Sequence, residues 1–153
     1  NYGSRMSFDK FYQLVIQNSQ PINYDLHKVD ISYSNSVFEH IPKNEIQDII
    51  NKIFKSSNDC SSFLHIADFG SHSKSKKGFG DIYANSSKKN YNQLNLLRSD
   101  DIHNLLIRAG WTKCKKYPYR VHALNPDQIH GSWKNYDINC LSERVVMYIS
   151  SEK

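Results

Sequence analysis

The stretch VDISYSNSVFEHIP, residues 29–42, decides how the rest of this 153-residue chain is interpreted. Its first residues alternate, with Val29, Ile31 and Tyr33 on one side, which predicts a short strand. The small polar residues at 34–36 favour a turn over continued strand pairing, and a Glu-His pair follows them. Ligands of open α/β sheets bind beyond the carboxyl ends of the strands. The stretch is therefore predicted to form one wall of a binding crevice.

A helix and a second strand are predicted after this stretch. The helix begins at Asn44, and its apolar residues recur at helical spacing. Residues 56–62 favour a polar turn, and the apolar run at 63–67 is typical of a strand buried on both faces of a parallel sheet. The apolar residues of the helix are Ile46, Ile49, Ile50, Ile53 and Phe54. Strand, helix and strand together predict a parallel crossover unit.

The C-terminal third predicts one more helix and two strands. Ser99 or Asp100 caps the helix, and Gly110 ends it. Strands are predicted at 111–119 and 145–149, with a polar insertion between them. Because no helix joins these two strands, they predict an antiparallel end to the sheet.

The N-terminal part predicts a helix from Ser7 to Asn18 and then a very short strand at 22–24. The apolar residues of this helix form a single stripe: Phe8, Phe11, Tyr12, Val15 and Ile16.

Length and composition predict a single soluble domain, residues 1–153. The three cysteines are scattered, there is no long apolar run, and no N-terminal signal pattern is present. These features favour reduced thiols and a cytoplasmic setting.

The net charge of +5 is concentrated in one place. Residues 69–98 predict a long basic loop, and from Ser71 to Arg98 there are six basic residues against one acid, Asp81. One interpretation is a solvated loop. The other is a surface for nucleic acid or another anionic partner.

The segment SNSVFEHIP at 34–42, the amphipathic helix after it and the strand ending HIADFGSH at 65–72 resemble class I S-adenosylmethionine-dependent methyltransferases. The resemblance covers about residues 30–111 and implies the C-terminal part of a Rossmann-like methyltransferase sheet. That sheet would be α/β and mostly parallel, with an antiparallel C-terminal strand pair. The implied cofactor is S-adenosylmethionine.

The resemblance also implies the cofactor-binding residues. The turn after the strand would approach the cofactor, Glu39 and His40 would organise that turn, and Asp25 would lie where the adenine edge is recognised. The implied set is Asp25, Ser34, Asn35, Ser36, Val37, Glu39 and His40.

Two residues are candidates for catalysis. His72 is the predicted base for the methyl acceptor, because histidine titrates near neutral pH, and Asp68 is its orienting carboxylate. Alternatively, His65 is a hydrogen-bonded strand residue and His72 an ordinary loop residue. A metal held by His65, Asp68 and His72 is a further alternative, although their spacing matches no closed zinc site.

The glycine-rich cofactor turn of the family is not present in these 153 residues, since none of the six glycines follows an apolar strand and opens a helix. Without the strand that carries this turn, the predicted strand at 29–33 would have an open, hydrophobic edge. The chain is therefore expected to be a C-terminal portion, a split or degenerate protein, or an unrelated self-sufficient domain.

The expected function is methyl transfer to a small-molecule or glycan-type acceptor, with an N-terminal half that these residues do not include. The rival is a non-enzymatic module that binds nucleic acid or another anion through its basic loop. A third surface feature is a mix of aromatic and basic residues that would either stack on a base or sugar or pack as a rim: Tyr117, Tyr119, Arg120, His122, Trp133 and Tyr136.

Overall fold

The computed structural model describes residues 28–70, 80–84 and 94–153. The predicted helix at 7–18, the short strand at 22–24 and the candidate residues Asp25 and His72 lie outside this part of the chain.

The described elements are four strands with helices between them. In chain order they are β1 (Val29–Asn35), α1 (Ile46–Ser56), β2 (Ser57–Asp68), α2 (Asp81–Ala84), α3 (Ser99–Ala109), β3 (Lys115–Val121), α4 (Ile138–Ser142) and β4 (Glu143–Ser150). Short 3-10 helices lie at Phe38–His40, Pro126–Gln128 and Gly131–Asn135.

The four strands form one mixed sheet in the order β1-β2-β4-β3. β1 and β2 are parallel, whereas β4 runs antiparallel to both β2 and β3. The α/β class and the antiparallel C-terminal pair are confirmed, but the prediction of a mostly parallel sheet is wrong for the described strands. The reason is the place of β4, which lies between β2 and β3 and so adds two antiparallel pairs.

One face of the sheet packs against α1 and α3 in a single hydrophobic core. The predicted periodicity of both helices is confirmed by their buried residues, and α1 begins at Ile46, two residues after the predicted start. Gly110 ends α3 in the left-handed conformation with φ +118°, as its position predicts. Trp111, predicted to begin a strand, is instead fully buried in the core before β3.

β2 is longer than its apolar run predicts. Residues 57–62, expected to be a polar turn, are part of the strand, and Ser57 pairs with Val29. Ser57 Oγ also donates a hydrogen bond to Ile53 O at 2.7 Å, which satisfies a carbonyl at the end of α1. The stretch is paired with β1 at its two ends, Ser57 with Val29 and Ser62 with Ile31, and the register is irregular between them.

β1 alternates as predicted, but its polar side faces the helices. Ser32 and Ser34 lie opposite Phe63 and His65, whose side chains are buried. The apolar side chains of Ile31 and Tyr33, which are 61% and 56% exposed, lie on the other face of the sheet.

Candidate functional site at the carboxyl edge of the parallel strands

The chain turns sharply at the carboxyl end of β1. Ser36 has a positive φ of 53°, which a non-glycine residue seldom adopts outside turns. Its backbone N–H donates to Ile66 O at 2.8 Å, so the turn is tied to β2. Because β1 and β2 are parallel, their ends at Asn35 and Asp68 lie on the same edge of the sheet. This edge carries the predicted polar residues.

A buried histidine lies directly below this edge. His65 is 3% exposed, and its Nδ1 is 2.5 Å from Ser34 Oγ, while its Nε2 is 3.4 Å from Ser32 Oγ. The ring stacks on Phe38 with centroids 4.5 Å apart. Burial lowers the pKa of His65 to about 3, so the imidazole is neutral near pH 7. These contacts match the alternative in which His65 is a hydrogen-bonded strand residue.

In the short helix at Phe38–His40, one side chain is buried and its neighbour is exposed. Glu39 is buried, and its Oε1 accepts a hydrogen bond from the Asp68 backbone N–H at 3.1 Å. His40 and Val37 are exposed, Val37 by 43%. Glu39 therefore joins the turn after β1 to the end of β2, while Val37 presents apolar surface beside the polar turn.

Asn95 holds this turn from the other side, and the sequence prediction missed it. Its Nδ2 donates to Phe38 O at 2.7 Å and to Ile41 O at 2.8 Å, while its backbone N–H donates to Glu39 O at 2.8 Å. Its Oδ1 accepts from the Leu97 N–H at 3.0 Å. Only the tertiary fold shows this role, because Asn95 lies more than fifty residues from the carbonyls it binds.

Asp68 is engaged by its neighbours at the end of β2. Its Oδ1 accepts a hydrogen bond from Gly70 N at 2.8 Å and lies 3.5 Å from Arg144 Nε. A side chain at position 70 would be crowded, since an added Cβ would be 2.9 Å from Asp68 Oδ1 and 3.3 Å from Arg144 Nε. The carboxylate is thus fixed at the crevice edge. Its predicted partner, His72, lies outside the described residues.

Arg98 does not contribute to a basic surface. It is 2% exposed, and its Nη1 donates to Phe69 O at 3.0 Å and to Tyr83 Oη at 3.2 Å. Its guanidinium lies between 5.2 and 5.7 Å from the centroids of the Phe69, Tyr83 and Trp133 rings. The Arg98 guanidinium therefore packs between Phe69, which follows β2, and Trp133 of the 3-10 helix at Gly131–Asn135. The other basic residues of the predicted surface lie outside the described part of the chain.

The aromatic and basic residues near the C-terminus do not form one surface. Trp133 is buried, and Tyr136 is half-buried with its hydroxyl donating to Asp101 Oδ2 at 2.9 Å. Tyr117 and Tyr119 are exposed by 45% and 72% on β3. Trp133 and Tyr136 therefore pack against the protein, and stacking of the exposed tyrosines on a base or sugar stays a prediction.

The described residues contain no group of three or more histidine, cysteine, aspartate or glutamate side chains placed to bind a metal ion. Within the same ranges, no helix is long and apolar enough to cross a membrane.

Of the predicted cofactor-binding residues, six lie together around the turn after β1: Ser34, Asn35, Ser36, Val37, Glu39 and His40. Asp68 is joined to this group through Glu39. No protein-family model matches the chain, and no curated protein sequence matches it significantly.

Proposed function

We propose that this chain is the C-terminal portion of a class I S-adenosylmethionine-dependent methyltransferase. In this proposal it transfers a methyl group to a small-molecule or glycan-type acceptor, together with an N-terminal half that completes the cofactor site. The chain alone is then inactive.

The position of β4 carries the proposal. In the sheet of that family the final strand lies antiparallel between the two strands that precede it, and β4 lies in this way between β2 and β3. The parallel pair of β1 and β2, joined through α1, corresponds to the crossover unit before it. Reversed insertion of the last strand is a more specific feature than the α/β class, so it supports the family beyond what composition does.

The edge of the sheet at β1 supports a missing neighbour. Among the described residues β1 pairs with β2 alone, and Ile31 and Tyr33 are largely exposed. An exposed apolar edge strand is a site for pairing with another strand. In the proposed family the strand that bears the glycine-rich turn lies on this side.

The residues after β1 fit the chemistry of the implied cofactor. Asn35 and Ser36 are exposed and offer amide, hydroxyl and main-chain groups, while the exposed Val37 offers an apolar contact for an aromatic base. Glu39 and Asn95 hold this turn by hydrogen bonds, which reduces the ordering cost of binding.

S-Adenosylmethionine supplies a methyl group on a sulfonium that the acceptor displaces directly, so no covalent enzyme nucleophile is needed. The protein has to orient the acceptor and accept its proton. We assign the proton to His72, oriented by Asp68. His65 is unsuited to this role, because burial keeps its pKa near 3 and encloses the ring.

Binding of labelled S-adenosylmethionine to the full-length gene product tests the proposal. Binding should be saturable, and Val37→Glu should weaken it at least tenfold by placing a charge beside the turn. Val121→Glu is the matched control, since Val121 is also exposed and lies on β3, about 14 Å away across three strand spacings. Lack of binding by a product with an intact N-terminal half would exclude the proposal.

The nucleic-acid alternative makes a different prediction. It requires affinity for RNA or DNA that falls steeply as salt is added. Burial of Arg98 removes one cation from the surface on which that alternative depends.

A further inference from the structure

The sheet has one face that the described helices do not cover. We call it the open face and define it by the side chains that the strand register places there: Ile31, Tyr33, Leu64, Ile66, Tyr117, Val145, Met147 and Ile149. The residues between them on the central strands point to the opposite face, into the core around α1 and α3.

The open face carries apolar side chains on all four strands, and the register places polar residues at the ends of its rows, Asn35 beside Ile66 and Lys115 beside Ile149. One row runs from Tyr33 through Leu64 to Ile149, and the next runs from Ile66 through Met147 to Tyr117. None of these side chains belongs to the hydrophobic core around α1 and α3. None belongs to the second buried cluster of the described residues either, which consists of Ile82, Tyr83, Ile129, Trp133 and Leu141. Contiguous apolar surface of this kind marks a place where another segment or a partner packs.

We propose that the chain's own residues 7–18 cover the open face. This segment lies outside the described residues, and its sequence predicts a helix with one apolar stripe, Phe8, Phe11, Tyr12, Val15 and Ile16. The inference is independent of the proposed function, since the face is apolar whether or not the chain transfers methyl groups.

The dimensions of the segment match the face. A twelve-residue helix is about 18 Å long, close to the length of β1, a strand of seven residues that spans about 20 Å. Residues 19–28 connect the segment to the start of β1 and can span about 33 Å. The segment can therefore reach the middle of the sheet without strain.

The chemistry of the face favours an aliphatic and aromatic helix over nucleic acid. Its centre, made by Leu64, Ile66 and Met147, carries no ring on which a base could stack. The exposed rings of Tyr33 and Tyr117 lie on the two outer strands, where they can flank a helix placed along the centre.

Site-specific photo-cross-linking in the full chain tests the proposal. Benzoylphenylalanine replaces Tyr117, which lies on β3, the strand farthest in the sheet from residue 28. The expected product is an intramolecular cross-link to residues 7–18, located by fragmentation of the tryptic peptides. The same probe at Lys52, an exposed residue of α1 in the opposite layer, should give no such link.

Two variants in the segment provide an independent measurement. Phe11→Asp should abolish the cross-link from position 117 and raise the fluorescence of an added hydrophobic dye several-fold, whereas Asp9→Asn should change neither. Cross-links that join two copies, that fall only outside residues 7–18, or that persist unchanged in Phe11→Asp would overturn the proposal. If Phe11→Asp fails to fold, the proposal is tested by the cross-link alone, measured in the chain that carries the probe at position 117 and no other substitution.

Discussion

Mild acid should destabilise this protein through His65. The imidazole is buried between Phe38 and Phe63, 4.5 and 4.0 Å from their ring centroids, and no carboxylate partners it among the described residues. Its pKa falls from 6.5 to about 3 because burial penalises the charged form. The folded state therefore keeps the ring neutral at pH values where the unfolded chain protonates it.

The sign follows from proton binding. Below pH 6.5 the unfolded state binds the proton and the folded state does not, so stability falls as the pH falls from 6.5 towards 3. At pH 5.0 the solution lies about 1.5 units below the unfolded pKa, and each unit is worth about 1.4 kcal/mol. His65 should thus remove about 2 kcal/mol from the free energy of unfolding between pH 7.5 and pH 5.0.

Urea denaturation at these two pH values measures the effect. His65→Gln keeps hydrogen-bonding groups for Ser32 and Ser34 but does not titrate, so its loss of stability on acidification should be about 2 kcal/mol smaller than that of the wild type. His130→Gln, at an exposed position, should behave like the wild type. Equal acid sensitivity of the wild type and His65→Gln would refute the reasoning, whatever the stability of the variant at pH 7.5.

Three further predictions concern an ion pair, the glycine that ends α3 and the reactivity of two cysteines. Lys116→Met should lower the free energy of unfolding by about 3 kcal/mol in urea, since it leaves the carboxylates of Asp100 and Glu143 without their cation. Lys113→Met, which breaks a solvent-screened exposed pair, should cost much less, and equal losses would contradict this account. Gly110→Ala should lower the melting temperature in calorimetry, because φ is +118° and the added methyl would overlap an aromatic ring of α1; an unchanged melting temperature would show that the ring moves aside. A thiol reagent at pH 8 should label the exposed Cys60 rapidly and Cys114 only on unfolding, since burial raises the pKa of Cys114 to about 11; similar labelling rates would argue against its burial.

The amphipathic helices and the centre of β2 were predictable because their signals are local. The isoleucines of α1 repeat at helical spacing, and three of them, Ile46, Ile50 and Ile53, are buried as the spacing predicts. Gly110 ends α3 because glycine, which has no side chain, readily adopts the left-handed conformation found there. Such features depend on neighbours a few residues away, which the sequence displays.

The first half of β2 was not predictable for the opposite reason. Its residues, SNDCSS at 57–62, have turn chemistry, yet they are part of the strand, with Ser57 and Ser62 paired to Val29 and Ile31 of β1 and an irregular register between these two pairs. Arg98 was counted among the six basic residues of a segment interpreted either as a solvated loop or as an anion-binding surface, yet its guanidinium lies close to three aromatic rings from separate segments. Sequence position alone does not reveal such a partner.

The candidate site shows the same division. A polar turn was predicted at 34–36; Ser34 and Asn35 still belong to β1, and the turn begins at Ser36, one residue beyond the strand. Asn95 could not be found this way, because its role consists of hydrogen bonds to carbonyls far away in the chain. An asparagine in an irregular segment has no local signal that distinguishes it from a solvated one.

The sequence by itself determined the α/β class, the helices α1 and α3 and the turn that ends the first strand, because propensity and periodicity act between close neighbours. Only the tertiary structure decided which side of β1 faces the helices, that β4 lies between β2 and β3, and that Glu39 and Arg98 are buried. These outcomes depend on strand pairing and burial among residues distant in the chain, where a local pattern is compatible with more than one arrangement.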